Sequence, residues 1–344
     1  MASSKKNQAR IRQIVRSAEG FFSQEVERVS APGGEGRSSF RLHFEDRDVI
    51  ATLRPNFRRT QLEAHVLQEL GAYSQDLPRL LGIDGVIMFQ SDVGRRRLNI
   101  EAARSAPGRQ LDLAAEAVAA LFRIHEAARK TDLHRVMPRL GANDAWITNF
   151  VNAVDVLEPY SSGIPAAFDR AAVAEAMRQP GRQFVKWDCR SGNAALGPDD
   201  RLRWFDFEYA GLRHGAEDFA WLIGDEAWPV APEQMADVMI DAFDPACGHP
   251  IAGYLEYMSV YLTLHSVQRL KLILKEAMTR GWLCKEQVLK YDDAGVHPEF
   301  AAQICEIGRY YSAQSHLTAA LTPHFEMVKG HFEDLSHDGV RKSA

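Results

Sequence analysis

Strand-like alternation of apolar residues is concentrated before about Gly94 and long helical periods after it, and that shift restricts the fold more than any other feature. Phe40, Leu42 and Phe44 alternate with polar residues, and after a polar turn at 45–48 the alternation resumes over 49–54 until Pro55 stops it. That is the pattern of strands with one buried face. Val26 and Val29 begin a strand ahead of them, across a Pro/Gly turn cluster at 31–36. A helical segment at 59–72 carries Leu62, Val66, Leu67 and Leu70 on one stripe, and two short apolar runs at 80–83 and 86–90 are joined as a hairpin by Asp84 and Gly85. Beyond Gly94 the period lengthens to three and four over 111–128, 165–177, 234–242 and 251–279, so long helices take over. The expected class is α+β, with a five-stranded antiparallel sheet in a small lobe at 1–93 and a large, mainly helical lobe at 94–344. An amphipathic helix at 8–22, with Ile11, Ile14, Val15, Ala18 and Phe22 on one side, is expected to pack on the first lobe.

At 344 residues the chain is longer than one hydrophobic core usually supports, in keeping with two lobes. Its 46% apolar and 25% charged residues are ordinary globular usage. Forty-one basic against 46 acidic residues leave a net charge of -5. With no basic field for counterion release, nucleic acid is not expected as a partner. No apolar run approaches the roughly 18 residues of a membrane span, and no apolar signal core follows the polar N-terminus, so no membrane association is expected. Cys189, Cys247, Cys284 and Cys305 have the spacing of neither a disulfide framework nor a zinc site. A reduced, cytoplasmic protein is expected, with its oligomeric state open.

Within the helical half a strand-like island survives at 183–187, 193–196 and 201–207. It contains Lys186, Trp187, Asp188, Cys189, Arg190, Ser191, Gly192 and Asn193, then Trp204, Phe205, Asp206, Phe207 and Glu208. A carboxylate, an amide five residues later and a second carboxylate after a hairpin are what metal-assisted phosphoryl transfer uses. One carboxylate accepts the proton of a substrate hydroxyl, while the amide oxygen and the second carboxylate are hard ligands for magnesium on nucleotide phosphates. The bland alternative is turn chemistry, because Asp and Asn favour hairpin loops on their own.

Through these residues most of the chain resembles the aminoglycoside phosphotransferase and choline kinase family of the protein-kinase-like superfamily. The family's His, variable residue and Asp, followed by Gly and Asn, fall on Lys186, Trp187, Asp188, Gly192 and Asn193, and the run from Asp206 to Ala210 with Asp218 beyond looks like that of choline and ethanolamine kinases. The resemblance implies a two-lobed protein-kinase-like fold and ATP- and magnesium-dependent phosphorylation of a small-molecule hydroxyl, with ATP against GTP open. Amino-alcohol, sugar and aminoglycoside-like acceptors are all in range. It implies Asp188 as catalytic base, Arg190 toward the transferred phosphate, and Asn193 and Asp206 as magnesium ligands. It sets the loop at 32–39, with Gly33, Gly34 and Gly36, over the phosphates, since glycine lets backbone amides approach closely. Thr52 then lies against the base, Arg54 stands where kinases carry a third-strand lysine, and Glu63 is its ion-pair partner. Thr52 and Arg54 share a strand face. His125 and Asp218 are expected to brace the catalytic loop.

Two positions depart from the family pattern, Lys186 in place of His and Arg54 in place of Lys. Arginine is always charged and binds phosphate with a different reach from lysine. These departures keep open a pseudokinase, a nucleotide-binding or scaffold module that transfers no phosphate. They also leave open that Arg54 and Glu63 form only a solvated surface pair, and that the 33–36 turn is an ordinary hairpin. Trp221, Trp228, Tyr254, Tyr257 and Tyr261 read as core, with an aromatic cage for a quaternary ammonium as the alternative.

Overall fold

A computed structural model describes residues 2–34, 36–178, 181–291 and 294–342. Strands β1 (Arg28–Ser30), β2 (Ser39–His43), β3 (Asp48–Thr52), β4 (Leu80–Asp84) and β5 (Ile87–Ser91) form one antiparallel sheet in the order β1-β2-β3-β5-β4. Strict alternation sorts its faces. Phe40, Leu42, Val49, Ala51, Ile87 and Phe89 are each at most 2% exposed and form one cluster, on which helix α1 (Ala2–Phe22) lays Ile14 and Ala18. The residues between them, Ser39, Arg41, Ile50, Thr52, Met88 and Gln90, therefore occupy the opposite face. Helix α2 (Phe57–Leu70) starts where Asn56 caps it, the side chain accepting from the Arg58 N–H at 3.2 Å. Its Ala64, Val66, Leu67 and Leu70 join the main core.

The chain leaves the sheet through Gly94, whose φ is +124°. A Cβ there would lie 2.5 Å from the Leu196 carbonyl oxygen, so only glycine allows this crossing. Short strands follow: β6 (Arg96–Arg97), β7 (Gln183–Val185), β8 (Ala194–Leu196), β9 (Leu202–Trp204) and β10 (Gly211–Arg213). β6, β8 and β9 form one small antiparallel sheet, and β7 pairs with β10.

The helices of this half are α3 (Leu98–Arg104), α4 (Pro107–Arg129), α5 (Leu133–Val136), α6 (Asp144–Asn152), α7 (Arg170–Met177), α8 (Ala216–Ile223), α9 (Pro232–Ala242), α10 (Ile251–Arg280), α11 (Lys285–Tyr291), α12 (Pro298–Ser312) and α13 (Thr322–Lys342). α10 is the central one, packed against α8 and α12, with Tyr254, Tyr257 and Tyr261 all buried. Among the described residues no helix is long and apolar enough to cross a membrane. The two-lobed α+β fold is the one expected from the change of period.

The differences lie at element ends. The helix expected at 165–177 begins only at Arg170, because the Asp169 carboxylate caps it, accepting from the N–H groups of Ala171 at 2.8 Å and Ala172 at 3.1 Å. The island strands are shorter than alternation implied. Trp187 and Asp206 are not extended but left-handed, at φ +59° and +64°. The first helix runs further toward the N-terminus than its apolar stripe, from Ala2.

Candidate active site

The catalytic-type loop leaves β7 at Val185 and turns through two consecutive left-handed residues, Trp187 and Asp188, at φ +59° and +49°. Each costs about 1–2 kcal/mol for a residue with a Cβ, so the turn needs outside support. Asp218, at the start of α8 and fully buried, supplies it by accepting from the backbone N–H of Lys186 at 2.8 Å and of Trp187 at 2.7 Å. His125 Nε2–H donates to the same carboxylate at 2.8 Å, and Gln183 Nε2 donates to His125 Nδ1 at 2.9 Å. Lys186 is wholly buried and points back under the loop, donating to the carbonyls of Trp187 at 3.4 Å and Asp188 at 3.3 Å. Lys186 thus braces the loop from beneath.

Asp188 faces the cleft with Arg190 Nε donating to its Oδ1 at 2.8 Å. Burial pushes its carboxyl up, but the charge and hydrogen bond of Arg190, with Lys186 and Arg269 behind, outweigh this and hold it below the ordinary carboxylate range. Asn193 turns its Nδ2 toward Asp188, donating to the carbonyl at 2.9 Å and to Oδ2 at 3.2 Å, which leaves its Oδ1 as an acceptor for another group. Behind this loop Ser191 donates through N–H and hydroxyl to the buried Asp225 at 2.9 and 2.5 Å. Next to it, Glu226 holds Arg269 in a two-pronged pair at 2.9 and 2.6 Å.

Arg54, just past β3, is the meeting point of the two lobes. Its guanidinium bonds Glu63 of α2 at 2.5 Å, Asp206 at 2.8 Å and Glu208 at 3.1 Å, and its side chain is only 7% exposed. Burial alone would weaken its protonation; the three carboxylates more than reverse that. Burial pushes the Glu63 carboxyl up, Arg54 pulls it down and Asp206 pushes it up again, and the net is upward. Glu63 also accepts from the Phe207 N–H at 3.0 Å. The Arg54 and Glu63 pair is therefore a buried one, and the solvated-pair alternative is excluded.

Gly33, Gly36, Thr52, Arg54, Glu63, Asp188, Arg190, Asn193 and Asp206 all line one cleft of about 520 Å³. Gly34, at φ +94°, lies outside that lining and faces the ring of Tyr291, 3.9 Å from where its Cβ would be. Tyr291, the last residue of α11, itself lines the cleft, and its carbonyl accepts from Arg37 Nη2 at 3.3 Å. The aromatic residues read as core are that for Trp228, Tyr254, Tyr257 and Tyr261, all buried, while Trp221 is half-buried beside Trp187 at 6.2 Å between rings.

Sequence reasoning did not single out Arg41, Gln90, Asp92, Glu208 or Tyr291 as cleft residues. For Arg41 the signal was present, since it is the polar member of an alternating strand on the face that also carries Thr52, whereas Gln90 ends an apolar run and no alternation marks it. For Tyr291 there was none, since a short helix between two long ones carries no mark of where it docks.

No protein-family model matches the sequence, and no curated protein matches it. Its fold does match solved structures. An aminoglycoside phosphotransferase from Alicyclobacillus acidocaldarius subsp. acidocaldarius DSM 446 aligns at TM-score 0.53 and 13% identity over 84% of this chain and 91% of that one. A choline/ethanolamine kinase family protein from Mesorhizobium loti aligns at 0.51 and 13% identity, over 88% and 99%. A spectinomycin phosphotransferase crystallised with ADP and spectinomycin aligns at 0.52 and 11% identity, over 86% and 98%. At such identities the likeness is one of fold.

Proposed function

We propose that this protein is a small-molecule kinase, moving the terminal phosphoryl group of a nucleoside triphosphate to a hydroxyl of a small acceptor. The observation that carries this reading is the convergence of Asp188, Asn193, Asp206 and Arg54 on one cleft beneath a glycine-rich loop. In this reading residues 1–93 bind the nucleotide, and residues 94–344 supply the catalytic loop and the acceptor site. Gly33 and Gly36 bring backbone N–H groups to the phosphates and Arg54 adds a fixed positive charge. Thr52 lies against the base.

Asn193 and Asp206 fit magnesium by donor chemistry. Asn193 keeps its amide oxygen, and Arg54 bonds only Oδ1 of Asp206. Magnesium keeps several waters and is usually held by one or two protein oxygens together with the substrate's phosphates, so this two-residue donor set suffices. Magnesium, when bound, offsets the phosphate charge. Asp188 orients the acceptor hydroxyl and takes its proton as the oxygen bonds to the terminal phosphorus and the bond to the diphosphate leaving group breaks. Arg190 tempers the charge that develops there. The remaining work is positioning.

The acceptor is proposed to be an amino-alcohol, a sugar or an aminoglycoside-like molecule. A second reading, nucleotide binding without transfer, is favoured by one observation: all three Arg54 ion pairs are to carboxylates of the cleft itself. Nucleoside diphosphate release, measured with and without magnesium against a panel of amino-alcohols and sugars and with both ATP and GTP, separates the two. Acceptor-dependent release supports the kinase; nucleotide binding with no release for any acceptor supports the second reading.

A further inference from the structure

Register sets Arg41, Ile50 and Gln90 side by side across β2, β3 and β5. The neighbouring row, one step nearer the glycine loop, is Ser39, Thr52 and Met88. The outer row and the residues after it, Asp92 and Gly94, line the end of the cleft away from that loop. Ligand pockets are mostly apolar with few polar groups that fix orientation, and here the polar groups are specific. Arg41 Nε and Nη2 donate to the Asp92 carboxylate at 2.5 and 3.1 Å, Nη2 also reaches the Gly94 carbonyl at 3.2 Å, and the Gly94 N–H donates to Asp92 Oδ1 at 3.1 Å. Both charged side chains are 10% exposed. Gln90 is 6% exposed, and its Oε1 is buried without a hydrogen-bond partner. A buried acceptor with no donor is costly, and this one lies in the wall of a ligand cleft.

We propose that this end of the cleft reads the base of a guanine nucleotide, with Gln90 and Asp92 accepting from its N1–H and 2-amino group and Arg41 facing its O6. The proposal rests on the kinase reading and names the phosphoryl donor. A guanine edge presents two adjacent donors beside a carbonyl oxygen. An adenine edge presents one amino donor beside the N1 acceptor, so a carboxylate there meets a lone pair, and a guanidinium meets an amino group. A carboxylate has about four lone-pair positions, and Asp92 uses three of them within the protein. An amide can be turned to present either its oxygen or its nitrogen; an ionised carboxylate accepts only, so Asp92 carries the discrimination. In DNA recognition arginine is the commonest partner of guanine O6 and N7, and a guanidinium donor suits the same O6 here.

Titration calorimetry of the whole protein with Mg-GDP, Mg-IDP and Mg-ADP tests this. Mg-GDP is expected to bind about 10- to 100-fold more tightly than Mg-ADP, the worth of one good two-pronged base contact. Mg-IDP, which lacks the 2-amino group, is expected to fall between them. Gln90→Met keeps the side-chain volume, and is expected to weaken Mg-GDP while leaving Mg-ADP unchanged. Mg-ADP binding as tightly as Mg-GDP, or more tightly, overturns the guanine assignment and leaves the kinase reading standing. Binding of none of the three by protein with native circular dichroism overturns both.

Discussion

Asp188 shows how one charge sets the working range of another. Buried as it is, its carboxyl would rise, and Arg190 at 2.8 Å is the main reason it lies low. As the proposed base Asp188 acts when deprotonated, so activity is expected above this depressed value and lost as pH falls through it. Arg190→Met removes the largest opposing charge, and the acid limb of kcat/KM is expected to move upward; a limb that stays in place would show that Arg190 does not tune Asp188. Asp188→Asn is expected to lower transfer about 10²- to 10⁴-fold, the usual worth of a general base, with nucleotide affinity kept. Near-normal turnover in that variant would remove Asp188 from the chemistry. The identity of Asp188 as the candidate was legible in the sequence from the amide and carboxylate that follow it. Its pairing with Arg190 was not, because a side-chain direction in a left-handed turn cannot be read from spacing.

At the scale of elements, the proposed catalytic loop is a strained turn held by a helix that follows it by thirty residues or so in the chain. Asp218 of α8 accepts two backbone N–H groups and His125, and each bond opposes relaxation of Trp187 and Asp188 out of the left-handed region. Asp218→Asn keeps the shape but turns one acceptor into a donor, which leaves a buried N–H facing it at a cost of about 1–3 kcal/mol. The expected outcome is a lower melting temperature and a reduced kcat, with the nucleotide dissociation constant unchanged. Equal loss in nucleotide affinity would mean the brace serves the whole cleft rather than the loop. The sequence marked Asp218 and His125 as braces through their places on apolar helices. The bracing role of Lys186 came only with the fold, which turns its amine back onto the carbonyls of Trp187 and Asp188, 5.4 and 5.9 Å from the ring centroids of Phe207 and Trp204.

Across the whole molecule, few groups tie the sheet to the helices as directly as Arg54. Glu63 stands on the sheet side, while Asp206 and Glu208 stand on the other. A second tie is the nearly buried Asp76, paired with Arg123 and Arg201, each at 2.9 Å. Arg54→Ala leaves Glu63 buried without its partner and is expected to cost about 3–5 kcal/mol. Without Arg54 the Glu63 carboxyl rises further, so the folded variant binds a proton that the unfolded chain gives up. The deficit should therefore shrink as pH falls, and urea unfolding at about pH 5 and pH 8 reads it. An equal deficit at both would place the loss in packing rather than charge. Arg54→Lys, a single ammonium, is expected to keep the Glu63 pair and lose part of the rest. The sequence by itself determined the two periods, hence the sheet, its buried face and the helical lobe, because apolar alternation is a local signal that burial enforces residue by residue. It also named the carboxylates and the amide, since their spacing within one loop is local too. Only the tertiary structure decided that Arg54 bridges both lobes, that Tyr291 closes on the glycine loop, and that Arg41 and Asp92 pair at the far end of the cleft. Those contacts join residues from 51 to 254 positions apart, and no local pattern carries the direction of a side chain across such a distance.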